Sequence, residues 1–208
     1  MMKGIFITFE GPDGSGKTTQ IKLLEKYFKE KGYDILITRE PGGTNISEQI
    51  RSVILDKNNT EMDNVTEALL YAASRAQHVA ELIKPALIEG KAIICDRFVD
   101  SSIVYQGIGR NLGIDFVKEI NDMAIRGTQP DITFLLKVSP KVGLSRRYSS
   151  DECDRLDMEK LDFHDQVYQG YLELEKLYPE RIIGIDASNS IEEIHRDIIN
   201  IVGKKLKL

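Results

Sequence analysis

Cysteine is scarce in this chain: Cys95 and Cys153 are the only two among 208 residues, and neither has a partner at CxxC spacing. A disulfide framework is therefore not expected, and a reducing compartment is the simplest setting. A basic excess is missing as well. The formal net charge of -5 leaves no global field for wrapping nucleic acid, so any anion chemistry has to be local. The apolar part of the N-terminal stretch MMKGIFITFEGPDG is too short for a signal sequence, and no segment approaches a membrane span. A cytoplasmic location without a membrane partner is the expectation. No internal repeat, low-complexity tract or Gly/Ser linker divides the chain, so residues 1–208 read as one domain with a substantial core.

Four short segments rich in β-branched residues, GIFITF, DILIT, KAIICD and DITFLLKV, with a fifth, RIIGID, predict strands. Their near-continuous apolar character suits a parallel sheet buried on both faces, with Cys95 in its core. Helical patterns lie between them. Ile21, Leu24 and Phe28 form a stripe that ends at Gly32, and Asn64 with Glu67 predicts a capping box opening a long helix towards Glu89, kinked or shortened at Pro85. Further helices are expected over 114–126, 140–148, 160–177 and 191–205. The alternation predicts an α/β doubly wound fold. The segment RRYSSDECDRLD, 146–157, differs in texture: it is polar, poor in apolar anchors and reads as a mobile lid between two helices.

Gly11 to Thr18, GPDGSGKT, fits G-x-x-x-x-G-K-[ST] in full, after a predicted strand and before a predicted helix. Glycines let the backbone curl so that successive N–H groups face phosphate oxygens, and the helix adds the positive end of its dipole. Lys17 is expected to bridge the outer phosphates, and Thr18 to offer a hydroxyl to Mg²⁺. The loop alone does not name a reaction. The guanine-reading motif N-K-x-D is absent, which weighs against a GTPase switch. In AIICDRF, Asp96 ends a strand as a metal-supporting acid would, and Arg97 rather than a catalytic glutamate follows it. An anion-directed arginine there suggests a second phosphate-bearing substrate.

Tyr71, Arg75 and His78 share one helix face. They suit a nucleobase held by stacking and edge hydrogen bonds, although on spacing alone a core-boundary tyrosine with a solvated arginine is the commoner arrangement; His78 reads as structural. A helical turn opened by Asp100 would stack Ser101 under Tyr105 and Ser102 under Gln106, just beyond Arg97. TREPGG ends the second strand, with Arg39 and Glu40 on opposite sides and Gly42 and Gly43 permitting close approach of a ligand.

Taken together and in order, FEGPDGSGKTT, TREPGG, TEALLYAASRAQH, CDRFVDSSIVYQG, GTQPDITFLLKV and DRLDMEKLDFHDQVYQGY resemble the bacterial thymidylate kinase family over nearly the whole chain. The resemblance implies a three-layer P-loop nucleoside monophosphate kinase fold with a five-stranded parallel sheet flanked by helices. It also implies ATP with Mg²⁺, a homodimer, and transfer of the γ-phosphoryl group of ATP to dTMP, giving dTDP and ADP. Thymidine specificity comes from the resemblance alone.

Residue by residue, the resemblance gives ATP to Gly11, Pro12, Asp13, Gly14, Ser15, Gly16, Lys17, Thr18 and Thr19, and Mg²⁺ to Thr18 and, through water, Asp96. It makes Tyr71 the stacking partner of thymine, Arg75 a donor to its carbonyl edge, and Gln106 a further base contact. Tyr105 packs against the deoxyribose and Asp13 meets the 3′-hydroxyl. Arg39 and Arg97 grip the acceptor phosphate, with Arg51, Ser74, Ser101 and Ser102 about it. The variable loop positions Pro12, Asp13, Gly14 and Ser15 include no arginine, which resembles the branch whose lid supplies one. Arg155, in DRLD, matches that branch best, then Arg147, with Arg146 beside it. Lys17, Arg97, Arg155 and Arg147 are thus the expected catalytic residues. Three alternatives stand beside this reading: a kinase for another nucleoside monophosphate, a deoxynucleoside kinase with Glu40 as its base, and a nucleotide switch without turnover.

Overall fold

The computed structural model describes residues 4–147 and 154–206, and of Arg147 the backbone only. The middle of the expected lid, 148–153 with Cys153, lies outside the described residues.

Five strands, β1 (Ile5–Glu10), β2 (Ile35–Arg39), β3 (Ala92–Asp96), β4 (Ile132–Lys137) and β5 (Ile182–Asp186), form one parallel sheet in the order β2-β3-β1-β4-β5. Nine α-helices accompany it among the described residues, α1 (Lys17–Glu30), α2 (Asn45–Leu55), α3 (Asn64–His78), α4 (Lys84–Ile88), α5 (Val99–Ser102), α6 (Ile114–Ile125), α7 (Pro140–Arg147), α8 (Leu161–Leu177) and α9 (Ile191–Leu206), with π-helical segments at Val79–Ile83 and Ile103–Gly109.

Side chains alternate across each strand, which fixes the layers. Ile7 and Phe9 of β1, Ile94 of β3 and Phe134 of β4 pack against Leu24 and Phe28 of α1 and Ile198 of α9. Phe6, Ile93 and Leu135 face the other way, onto Val79, Val117, Val167 and Tyr171. Burying a side chain such as Leu24 contributes about 1.5–3 kcal/mol, and Leu24→Ala would cost about 2–5 kcal/mol once the cavity is included.

Two local expectations change. The α3 N-cap is Asp63, whose carboxylate accepts from the Val65 and Thr66 amides at 2.8 and 3.2 Å; Asn64 and Glu67 form no capping box, because Glu67 turns into the protein. Pro85 does not break the long helix. Val79–Ile83 widens into a π-helical turn, the Lys84 amide reaching the Val79 carbonyl, so the bond that Pro85 cannot donate is bypassed before α4 continues.

Candidate active site

The chain reverses direction across the sheet at β1, whose neighbours β3 and β4 lead to opposite edges, and ligands of open α/β sheets bind beyond the strand ends there. A cleft of about 510 Å³ opens at that point. It runs from Gly14, Lys17 and Thr18 to Tyr71, Arg75 and Gln106, with Asp96 and Arg97 between.

The phosphate loop occupies the turn between β1 and α1. Gly11 (φ 129) and Gly14 (φ 71) hold left-handed backbone, and a Cβ on either would run into the Leu136 or Gly143 carbonyl. Only glycine satisfies both the torsion and the space. Lys17 is buried, and its ammonium donates to the Gly11 and Pro12 carbonyls at 3.1 and 3.0 Å. Burial and the nearby Arg97 charge pull its pKa below the usual lysine value. Thr18 and Asp96 line the same cleft, and Asp96 Oδ1 is buried with no hydrogen-bond partner among the described residues. A hydroxyl and a carboxylate are hard oxygen donors that fit Mg²⁺. No group of three or more His, Cys, Asp or Glu placed to hold a metal ion occurs among the described residues.

Arg97 sits at the centre with left-handed backbone (φ 66). Its guanidinium donates to Asp13 at 2.8 Å and to Ser101 and Tyr171 at 3.2 Å each, and lies over the Tyr105 ring at 5.2 Å. Burial works against its charge, but Asp13, Tyr105, Tyr171 and Asp96 overcome that and raise its pKa.

Behind Arg97 stands Glu10, a residue that sequence reasoning missed. It shares strand parity with Phe6 and Thr8, so it points towards α5 and α8 rather than α1. There it accepts from the Phe98 amide (2.8 Å), the Ser101 amide (3.3 Å) and hydroxyl (2.5 Å), and the Tyr171 phenol (2.9 Å). Glu10 thus brackets the turn that carries Arg97. Burial and the neighbouring Asp100 push its carboxyl up to about 7. An acid ending a strand otherwise buried on both faces was the available signal.

At the end of the cleft away from the phosphate loop, Tyr71 is buried and lines the cleft, its phenol pushed up by burial and by Glu67. Arg75 is not solvated: it is 1% exposed and donates to Glu40 (2.7 Å), Ser102 (2.9 Å), the Phe98 carbonyl (3.0 Å) and Asn121. Glu40 also pairs with His78 at 2.9 Å, and the other ring nitrogen of His78 meets Thr38 at 2.7 Å. Glu40 is thereby a buried counter-ion, not a base for a hydroxyl acceptor, and His78 is structural.

Arg39 and Arg51 line the cleft and both reach the Pro41 carbonyl, at 3.1 and 2.8 Å, while Arg39 forms a two-pronged bond with Glu48 at 2.9 and 3.1 Å. Ser101, Ser102, Tyr105 and Gln106 line it too. Gly43 serves a different approach from the one expected. A Cβ there would strike His78 and Thr38, side chains of the protein itself. Asp100 opens no helix by capping. It is buried and accepts two parallel hydrogen bonds from Arg181, at 2.6 and 2.8 Å.

Several expected site residues do not line the cleft. Ser74 does not line the cleft; its hydroxyl accepts from the Gly42 amide at 3.2 Å and supports the turn after β2. Arg155 lies against α2 and α3, 2.6 Å from Glu67 and 3.0 Å from the Ile54 carbonyl, because the chain entering α8 returns across α3. Arg146, at the start of the segment expected as a lid, lies beside the phosphate loop, 3.3 Å from the Gly14 carbonyl. The Arg147 side chain lies outside the described residues. Gly11, Pro12, Ser15 and Thr19 shape the loop without lining the cleft.

The sequence profile described as thymidylate kinase matches residues 9–198. The thymidylate kinase of Clostridium novyi (strain NT) is 54% identical over 95% of this chain and 98% of its own. That of Thermoanaerobacter sp. (strain X514) is 52% identical over 99% of this chain and 100% of its own. The crystal structure of thymidylate kinase from Ehrlichia chaffeensis superposes with a TM-score of 0.79 at 34% identity, covering 96% of this chain and 99% of that one.

Proposed function

This chain belongs to the thymidylate kinase family, and from that premise we propose how its residues carry the transfer of the γ-phosphoryl group of ATP to dTMP. The carrying observation is one continuous cleft with a phosphate loop at one end, an aromatic and amide lining at the other, and Arg97 between them. The family identity favours this reaction over the other nucleotide kinases and over a switch. Both Glu40 oxygens are engaged, by Arg75 and His78, which weighs against its serving as the base a deoxynucleoside acceptor would need.

In the proposal, the phosphate loop from Gly11 to Thr19 and Lys17 hold the donor phosphates. Tyr71 stacks on thymine, Arg75 and Gln106 address its edge, and Tyr105 packs against the deoxyribose. Arg97, with Arg39 and Arg51, grips the acceptor phosphate, and Ser101 and Ser102 line its seat. Asp13 meets the sugar hydroxyl while holding Arg97. The acceptor phosphate is already an anionic nucleophile, so direct in-line attack needs alignment and charge neutralisation rather than a strong base. Thr18 and, through water, Asp96 would hold Mg²⁺, which when bound neutralises donor phosphate charge.

A lid arginine completes the charge balance. The tie of Arg155 to Glu67 and the contact of Arg146 with the Gly14 carbonyl of the phosphate loop favour the Arg146–Arg147 pair over Arg155 for this role. Lid closure also excludes water and limits ATP hydrolysis.

The same reading includes a homodimer in the cytoplasm. Supporting the dimer are exposed apolar side chains on three adjoining helices: Ile46 and Val53 of α2, Val65 and Leu69 of α3, and Phe116 and Met123 of α6. Sedimentation at micromolar concentration checks it, and a monomer there would remove it. No helix among the described residues is long and apolar enough to cross a membrane. The substrate assignment is tested by a panel of nucleoside monophosphates with MgATP. Acceptor-dependent ADP release should be fastest with dTMP, and preference for CMP, UMP or GMP would overturn it.

A further inference from the structure

Glu67 is 1% exposed and accepts four hydrogen bonds on two oxygens. Gln106 Nε2 (2.9 Å) and Arg110 Nε (3.2 Å) meet Oε1, while Arg110 Nη2 (3.2 Å) and Arg155 Nη2 (2.6 Å) meet Oε2. Burial pushes the carboxyl up, but the bonds from Gln106, Arg110 and Arg155 pull harder and hold it below the usual carboxylate range. An ionised carboxylate only accepts. A glutamine amide has a donor end and an acceptor end, so the end of Gln106 that faces Glu67 must be its nitrogen. Its Oε1 has no protein partner among the described residues and belongs to a side chain that lines the cleft. Arg75 completes the pair. Glu40, Ser102, Asn121 and the Phe98 carbonyl take all but one of its N–H groups. The wall thus offers an acceptor from Gln106 and a donor from Arg75.

We propose that Glu67 is a positioning residue that fixes the amide polarity of Gln106, so that the cleft selects a pyrimidine with a ring N–H beside a carbonyl over one with a ring acceptor beside an amine. The inference rests on the reading that the Tyr71 end of the cleft takes the base. Thymine and uracil present N3–H beside a carbonyl, whereas cytosine presents the opposite polarity at both atoms. Glu67 therefore sets specificity without touching the substrate. The capping-box spacing that the sequence suggested for Glu67 is left empty because its carboxylate has this other use.

The experiment compares kcat/KM for dTMP and dCMP in the wild type, Glu67→Gln, Gln106→Leu and the double variant. A glutamine at 67 can turn its own nitrogen towards Gln106 and let that amide reverse. The dTMP-to-dCMP preference is expected to fall about tenfold or more in Glu67→Gln. It should fall no further when Glu67→Gln is added to Gln106→Leu. Equal losses for both nucleotides, or additive losses of preference, would overturn the proposal. A wild type that prefers dCMP would instead remove the base reading beneath it. Neutron diffraction of the wild type with dTMP needs no variant to fold. The Gln106 amide deuterons should point at Glu67, and deuterons pointing at the base would overturn the proposal.

Discussion

Arg97 Nη2 lies 2.8 Å from Asp13 Oδ1, so the arginine assigned to the acceptor phosphate is held by a carboxylate of the loop assigned to the donor. A guanidinium reaches Asp13, Ser101 and Tyr171 together; a lysine ammonium keeps the charge but not that fork. Arg97→Lys is expected to lower kcat/KM for dTMP by about 10²-fold or more, because small misplacements at the reacting phosphate are costly, while the KM for ATP stays near wild type. Steady-state ADP release measures both. Wild-type efficiency in this variant would show that charge alone suffices.

Glu10 gives a pH signature. Its carboxyl is raised from an ordinary 4.5 to about 7 by burial and Asp100. Between those values the folded protein keeps a proton that the unfolded chain has lost. The stability it contributes is full below about pH 4.5 and is lost as pH rises through about 7. Glu10→Gln should flatten that decline, which is on the order of 3 kcal/mol across the window. Urea unfolding of both proteins at pH 5 and pH 8 is the check, and parallel declines would place the titration elsewhere.

The strands and the phosphate loop were legible because their signals are local: short β-branched runs, and glycines at fixed spacing. Asp96 and Arg97 could be read for the same reason, an acid and an arginine ending a strand. Glu10 was not, since what makes it special is Tyr171, delivered by α8 from 161 positions away. Ser74 lies on the same helix as Tyr71, and only the fold reveals that its hydroxyl supports the turn after β2. Helix α2 escaped notice because Ile46 and Val53 are exposed, so its apolar pattern does not mark a core face. The DRLD motif identified Arg155 without telling to which end of the cleft the chain returns.

That return separates Arg155 from Arg146 and Arg147. Arg155 is bound to Glu67 and the Ile54 carbonyl, whereas Arg146 touches the phosphate loop and Arg147 follows it. An arginine that stabilises the transferring phosphoryl group is worth on the order of 10³-fold or more in turnover. Arg147→Ala is expected to show a loss of that order in kcat. Arg155→Ala should act mainly on the KM for dTMP, with kcat within about tenfold of wild type. Single-turnover transfer rates distinguish the two, and a 10³-fold fall in Arg155→Ala would restore it to the chemistry.

Asp96 permits a test in which stability and activity move in opposite directions. Its Oδ1 is buried with no hydrogen-bond partner among the described residues, and a charged oxygen left without a hydrogen bond costs more folding free energy than a neutral one. Asp96→Asn removes that charge at constant shape, so the metal-free protein should melt at the same temperature or higher. If Asp96 instead supports Mg²⁺ through water, the variant should need more Mg²⁺ for half-maximal rate and lose about 10–100-fold in metal affinity or activity. A carboxylate with a structural role would give the reverse pattern, a lower melting temperature with an unshifted Mg²⁺ activation curve. Mg²⁺ titrations of ADP release, set beside calorimetric melts in a chelator, therefore decide between the two roles.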